Sequence, residues 1–330
     1  MVEPLFDKDI KKAPTRDGYG EAIMELGQTN PDVFVLSGDL TESTRTLKFS
    51  KKYPDRFIES GVAEQNMVGM AAGLAFEGKI PFVSSFAAFS PGRNWDQIRV
   101  SICYSQANVK IAGSHAGLLT GGDGATHQAL EDIAITRCLP SMVVLAPCDK
   151  VETKKATIAA AQYIGPVYIR FARDKTPVFT TDNTPFEIGK ALMLRDGADA
   201  TIIACGTMVY PSLEASEKLS KEGYLIRVIN SPSIKPIDID AIIAAAKDTG
   251  AIVTAEEHQV YGGLGGAVAE VLTTSFPVPQ EIVGVMDTFG ESGEPKELWE
   301  KYGLTAEHIV SATKKAMERK PRGPKGERAS

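Results

Sequence analysis

Short β-branched runs alternate along this chain with longer stretches of helical periodicity, and the alternation stops once and then restarts. The first series of runs is Val33 to Ser37, Pro81 to Ser85, Val109 to Ala112, Met142 to Ala146 and Val167 to Phe171. Helical patterns fall between them near residues 62–77, 92–104, 126–138 and 149–163. An earlier helix is expected to begin after Thr15, a residue type that caps helix N-termini. Alternation of this kind specifies a parallel sheet covered by helices on both faces. Residues 174–187 then bring two prolines, several Thr and Asp, and little periodicity, which is the composition of a linker. The second series has strand candidates at Ala200 to Ala204, Tyr224 to Ile229, Ala251 to Thr254 and Glu281 to Val285. Its helical patterns lie near 208–222, 238–247, 264–275 and 305–317. The expected fold is α/β in two domains, 14–178 and 187–318, each a mostly parallel sheet flanked by helices. The basic, Pro- and Gly-rich end, 319–330, is expected to be disordered.

Several function classes are disfavoured at once. A formal net charge of −6 argues against a nucleic-acid partner, whose phosphates need a basic surface. No apolar run approaches the roughly 20 residues of a membrane helix. The four cysteines, Cys103, Cys138, Cys148 and Cys205, form neither a C-x-x-C pair nor a zinc spacing. The expectation is a reduced, cytoplasmic protein.

In parallel sheets, ligands sit beyond the carboxyl ends of the strands. Four segments end first-series strands: Gly38-Asp39, Phe86–Phe89, Gly113–His127 and Arg173. In GVAEQNMVGMAAGLA, residues 61–75, Glu64 shares a helical face with Met67, Val68 and Ala71. A carboxylate on an apolar stripe needs a partner. It either serves the helix dipole or hydrogen-bonds a ring nitrogen. Phe86 and Phe89, three apart past a strand, are either core or an aromatic slot for a flat heterocycle. AGSHAGLLTGGDGATHQALEDIAI, residues 112–135, places five glycines before a helix expected to begin near Ala125 or Thr126. Such a loop lets backbone approach a ligand and offers a helix N-terminus to an anion. It also carries two of the four histidines, His115 and His127, together with Asp123. These side chains suit sugar hydroxyls, a phosphate or a proton in transit. In YIRFARDK, Arg170 or Arg173 can clamp a phosphate. Farther on, Glu256, Glu257, His258 and the glycines at 262–266 fit a tight strand-to-helix turn better than a phosphate loop.

At these residues the sequence resembles the transketolase family. The runs DRFIESGVAEQNMVGMAAGLA, PFVSSFAAF, AGSHAGLLTGGDGATHQALED and YIRFAR resemble its pyrimidine-binding domain. APTRDGYGEAIMELG, SIKPID and EEHQVYGGLGGAVAEVL are similar to the same family, in order, from about residue 11 to 318. The resemblance implies thiamin diphosphate as cofactor and transfer of a two-carbon ketol unit between sugar phosphates. It implies that Glu64 contacts N1′ of the aminopyrimidine and that Phe89 stacks on that ring, with Phe86 as a second wall. Arg16, Ser43, His115 and Arg173 match the substrate phosphate site, Asp123 the substrate hydroxyls, and His127 a catalytic or binding position beside cofactor and substrate.

The family's diphosphate and Mg²⁺ site is marked by Gly-Asp-Gly followed some distance later by Asn. Here Gly122-Asp123-Gly124 has no Asn before Asn183, and Gly38-Asp39 is followed by Leu40. The resemblance therefore implies metal ligands on another polypeptide, an N-terminal subunit, in an α2β2-type assembly. The alternatives are a subunit acting on an unusual ketose, the β chain of a 2-oxo acid dehydrogenase, a deoxyxylulose-phosphate synthase relative, or a non-catalytic homologue. The dehydrogenase chains lack the set Arg16, Ser43, His115 and Arg173. Retention of Glu64 with both phenylalanines speaks against a non-catalytic homologue.

Overall fold

The computed structural model describes residues 1, 5, 6 and 9–320. In chain order its strands are β1 Lys12–Pro14, β2 Val33–Ser37, β3 Phe57–Glu59, β4 Ile80–Phe86, β5 Lys110–Ser114, β6 Val143–Leu145, β7 Val167–Arg170 and β8 Lys175–Pro177. The second half adds β9 Leu192–Arg195, β10 Ala200–Ala204, β11 Ile226–Asn230, β12 Ser233–Lys235, β13 Ile252–Gln259 and β14 Gln280–Val285. One sheet has the order β12-β6-β7-β5-β4-β2-β3 and the other β14-β13-β10-β11-β9. Within these two sheets all pairings are parallel except β12 with β6 and β9 with β11. The expected two-part α/β architecture with helix-flanked, mostly parallel sheets is therefore present.

Side-chain alternation explains why the first sheet is covered on both faces. Val33 and Val35 of β2 point to a cluster with Tyr19, Ile23 and Ala156, from helices Thr15–Thr29 and Lys150–Gln162. Leu36 points the other way, to Met67, Val68 and Ala71 of helix Glu64–Phe76. Each fully buried aliphatic side chain stabilises the fold by about 1.5–3 kcal/mol. The second cluster runs on into Ile203, Ile229, Ile234 and Leu264, so the two halves share one apolar interior.

Several local expectations are corrected. Thr15 is not an N-cap but the first helical residue; its Oγ1 accepts from the Ala172 N–H at 2.7 Å, tying the helix start to the end of β7. The helix expected from residue 125 or 126 is only Asp132–Arg137, and turns occupy the preceding stretch. The linker contributes β8, which pairs antiparallel with β1. From the expected tail, Arg319 donates to the Gln280 carbonyl at 3.1 Å and Lys320 to the Asp199 carbonyl. The rest of that tail, 321–330, lies outside the described residues.

A buried ionic tie joins the halves. Arg170, at the end of β7, donates through Nε to Asp132 Oδ2 at 2.8 Å and through Nη2 to the Glu257 carbonyl at 2.6 Å. Tyr168 Oη donates to the same Asp132 oxygen at 2.6 Å. Arg170 is thus a structural cation and not a phosphate clamp. Removing one partner of a buried pair strands the other charge, at about 3–5 kcal/mol. Arg170→Leu is expected to lower the urea-unfolding free energy by that amount, and wild-type stability in this variant would rule out the tie.

Candidate active site

The carboxyl ends of β2, β4, β5 and β7 bring together most of the residues singled out from the sequence. Helix Glu64–Phe76 begins at Glu64, whose side chain is only 1% exposed. Its carboxylate does more than serve the helix dipole. Arg93 Nη1 donates to both oxygens, at 2.9 and 2.8 Å. Asn94 Nδ2, itself buried, donates to the Glu64 carbonyl at 3.1 Å and pins the start of the helix. Arg93 belongs to the loop after β4, and its guanidinium also lies over the Phe89 ring, 4.6 Å from the centroid.

Phe89 is half-buried and stacks on buried Phe86, with centroids 5.9 Å apart and planes 22° from parallel. His115 stacks on Phe86 at 3.8 Å, and half-buried His127 meets Phe89 edge-on at 5.2 Å. The two phenylalanines and the two histidines therefore form one continuous wall, and Arg93 bridges it to Glu64. The wall has room for a flat nitrogen-bearing group between Glu64 and Phe89, because Arg93 places such a group there. An aminopyrimidine ring shares its planarity and its nitrogen chemistry, so the residues fit the cofactor that the family resemblance implies.

Beside this wall lies a cluster of cations. Arg16 Nη1 donates to the Ser43 carbonyl at 2.8 Å and to His115 Nε2 at 3.1 Å. Because an arginine can only donate, His115 Nε2 must accept, and its proton then sits on Nδ1 facing Ser114 Oγ at 2.9 Å. Arg16 Nε is buried with no hydrogen-bond partner, an open donor. Burial and the neighbouring Arg45 push the Arg16 guanidinium down to about 10, where it still carries its charge at neutrality. Arg173 is 40% exposed, donates to the Thr120 carbonyl at 2.5 Å and lies 3.7 Å from Asp123. Arg45, paired with Asp17 at 2.7 Å, completes the cluster. Both Arg45 and His115 hold positive φ, 68° and 57°, which side chains other than glycine rarely adopt. Crowded guanidiniums with an open donor are suited to a multiply charged oxyanion.

Arg45 and Arg93 were not singled out from the sequence. Arg93 lies inside the quoted segment PFVSSFAAFSPGRNWDQIR, but no spacing rule links it to Glu64, 29 positions earlier. Ser43 enters through its carbonyl. The glycine-rich loop is irregular, with no helix beginning near 125 to offer its N-terminus to an anion. Glu256 closes the later turn as expected, accepting from Leu264 N–H at 2.7 Å and Gly265 N–H at 2.8 Å. Among the described residues, no group of three or more His, Cys, Asp or Glu is placed to hold a metal ion. No helix among them is long and apolar enough to cross a membrane.

A helix-borne carboxylate, stacked rings and an arginine cluster thus lie together beyond the carboxyl ends of a parallel sheet. The transketolase pyrimidine binding domain matches residues 11–178, and the transketolase C-terminal domain matches 189–309. A Methanocaldococcus jannaschii protein described as a transketolase C-terminal section is 46% identical, over 92% of this chain and 96% of that one. The 6-deoxy-6-sulfo-D-fructose transketolase subunit of a Clostridium species is 42% identical, over 97% and 99%. A solved split gene transketolase, described as an inactive β4 tetramer, superposes with a TM-score of 0.88 at 50% identity, over 93% of this chain and 99% of that one. The chain belongs to the transketolase family.

His115 supplies a test of the geometry. Burial first, then the charges of Arg16, Arg173, Arg45 and His127, push its imidazole down to about 2. It is neutral throughout the physiological range and does not carry a proton in transit. The unfolded chain takes up that proton below the ordinary histidine value of about 6.5, whereas the folded one does not until about pH 2. Stability is therefore complete above about 6.5 and declines as pH falls between those values. Wild type should lose up to about 1.4 kcal/mol per pH unit more than His115→Gln in that window. Parallel acid limbs in denaturant titrations of the two proteins would contradict the burial of a neutral ring.

Proposed function

We propose that this chain is the C-terminal subunit of a split transketolase. With an N-terminal subunit in an α2β2-type assembly, it moves a two-carbon ketol unit from a ketose phosphate to an aldose phosphate in the cytoplasm. The observation that carries this reading is the placement of buried Glu64 and half-buried Phe89 beside the Arg16–Arg45–Arg173 cluster. That arrangement serves a flat ring and an anionic sugar in one site. The two similar proteins named as a C-terminal section and a subunit, matched over nearly their whole lengths, support partner dependence.

Thiamin diphosphate, when bound, supplies the nucleophilic carbon that takes up the two-carbon unit. Glu64 hydrogen-bonds the ring nitrogen and holds a proton there, Phe89 supports the ring face, and Phe86 backs it. Arg16, Arg173 and the Ser43 turn seat the sugar phosphate, with neutral His115 as a further hydrogen-bonding group and Asp123 beside the sugar hydroxyls. His127, at the edge of Phe89, stands where it can meet both ring and sugar. The diphosphate and its Mg²⁺ are held by the partner.

The chain alone is expected to be inactive. Co-expressed with the N-terminal subunit, it should transfer two carbons from xylulose 5-phosphate in the presence of Mg²⁺ and thiamin diphosphate. Glu64→Ala in that complex should lower turnover by about a hundredfold or more, and full activity would refute the role of the carboxylate. Arg173→Ala removes a charge-assisted contact, so KM for phosphorylated sugars should rise about tenfold. An equal rise for unphosphorylated sugars would remove Arg173 from the anion site. A second reading, an unusual ketose, follows from the sulfofructose-named relative. A kcat/KM for 6-deoxy-6-sulfofructose above that for xylulose 5-phosphate would favour it.

A further inference from the structure

Arg93 has no role in the scheme above, yet it makes the closest contacts to the residue on which that scheme turns. Its Nη1 touches both oxygens of Glu64, and its guanidinium lies over Phe89, 4.6 Å from the ring centre. These are the two contacts required of an aminopyrimidine: a nitrogen at the carboxylate and a planar face on the phenyl ring. We propose that Arg93 is a built-in stand-in for the aminopyrimidine, a plug that must swing out before the cofactor ring can enter. This inference rests on the reading of the Glu64–Phe89 slot as the pyrimidine pocket.

The pair is asymmetric in the way a plug requires. Glu64 is 1% exposed, while the Arg93 side chain is 49% exposed, so only the arginine can leave. Arg93 sits on the irregular turn between β4 and the helix Trp95–Gln97, beside Gly92, while Glu64 is fixed at the head of a packed helix. Without the ring, an unpaired Glu64 would leave a desolvated charge in the apolar wall. Arg93 removes that penalty by supplying a charge-assisted bond that the ring must later replace. The consequence is competition: each binding event exchanges an ion pair and a cation–ring contact for the ring's own contacts. Cofactor affinity is therefore held below what the slot would give if it stood open.

The test is the equilibrium dissociation constant of thiamin diphosphate for the complex with the N-terminal subunit, with Mg²⁺ present, by calorimetry. Arg93→Met keeps an apolar side chain over Phe89 and removes the competing cation. The expected result is about tenfold tighter binding, the exchange of one charge-assisted bond. Arg93→Lys can still reach Glu64 but presents no planar group to Phe89, and should fall between the two; it serves as the second variant if Arg93→Met assembles poorly. A crystal of the liganded wild-type complex should show the guanidinium off the Phe89 face. Unchanged or weaker binding in both variants overturns the inference. If Phe89→Ala and Glu64→Gln weaken binding all the same, the pocket assignment stands without it. If neither of those changes affinity, the pocket is elsewhere and both readings fail together.

Discussion

Part of the site, His115, Asp123 and His127, rides on a loop whose one short element is the 3-10 turn Leu118–Asp123, and one buried carboxylate from the other sheet holds that loop in place. Glu257, on β13, accepts from the Leu119 N–H at 2.7 Å, from Thr207 Oγ1 at 2.7 Å and from Trp299 Nε1 at 3.2 Å. A Cβ on Gly117, whose φ is +79°, would stand 2.5 Å from the Glu257 carboxyl carbon, so the loop presses its backbone on the anchor. Burial raises this carboxyl above its usual range, while Arg170 and the three donors pull it back. Gln128 Nε2 adds a second strap, to the Gly121 and Glu291 carbonyls. The second domain contributes none of the side chains assigned to ring or sugar. It contributes the anchors that hold the backbone path carrying His115, Asp123 and His127.

That division separates two kinds of charge. The structural charges, Asp132, Arg170, Glu256 and Glu257, are buried and bonded to partners, the Asp132 carboxylate through Oδ2 alone, and the contacts of Arg170 to Asp132 and Glu257 join the halves. The site charges are under-committed. Arg16 keeps a buried Nε without a partner, Arg173 reaches its nearest carboxylate only at 3.7 Å, and His115 is held neutral by its burial and then by the surrounding cations. An anion entering such a cluster meets donors that have little else to give up, which is the physical content of preorganisation.

The sequence makes the fold legible wherever periodicity and burial coincide. Strands such as Val33–Ser37 and Ala200–Ala204 are buried on both faces and read as continuous β-branched runs. The Glu64 stripe was readable for the same reason: 64, 67, 68 and 71 are all buried on one helix face. What stayed hidden depends on contacts between distant segments. Thr15 looks like a cap by residue type, but its hydroxyl is used by Ala172, 157 positions away. The helix expected near 126 is replaced by turns because Gly124 adopts a positive φ and the Gln128 side chain bonds backbone across the loop. β12 joins the first sheet, against β6, although it follows the linker by more than forty residues. Arg93 and Arg45 are ordinary loop arginines until the sheet folds them onto Glu64 and Arg16.

On the proposed reading, a subunit that carries half of a site faces a problem that a complete enzyme does not. Its Glu64 carboxylate would have to be dry to be useful, yet exist for part of its life without the ring that satisfies it. Surrounding it with more apolar groups would worsen the desolvation, and opening it to water would weaken the hydrogen bond it makes later. A mobile cation that imitates the ring resolves the conflict, because it satisfies the charge and leaves through the side that faces solvent. The same logic accounts for the stacked phenylalanines. Their ring faces accept a guanidinium and a heterocycle alike, so the slot need not collapse between occupants. In the proposed scheme, the division of the site between two polypeptides and the Glu64–Arg93 pair are then two aspects of one requirement, that each half be stable before it is complete.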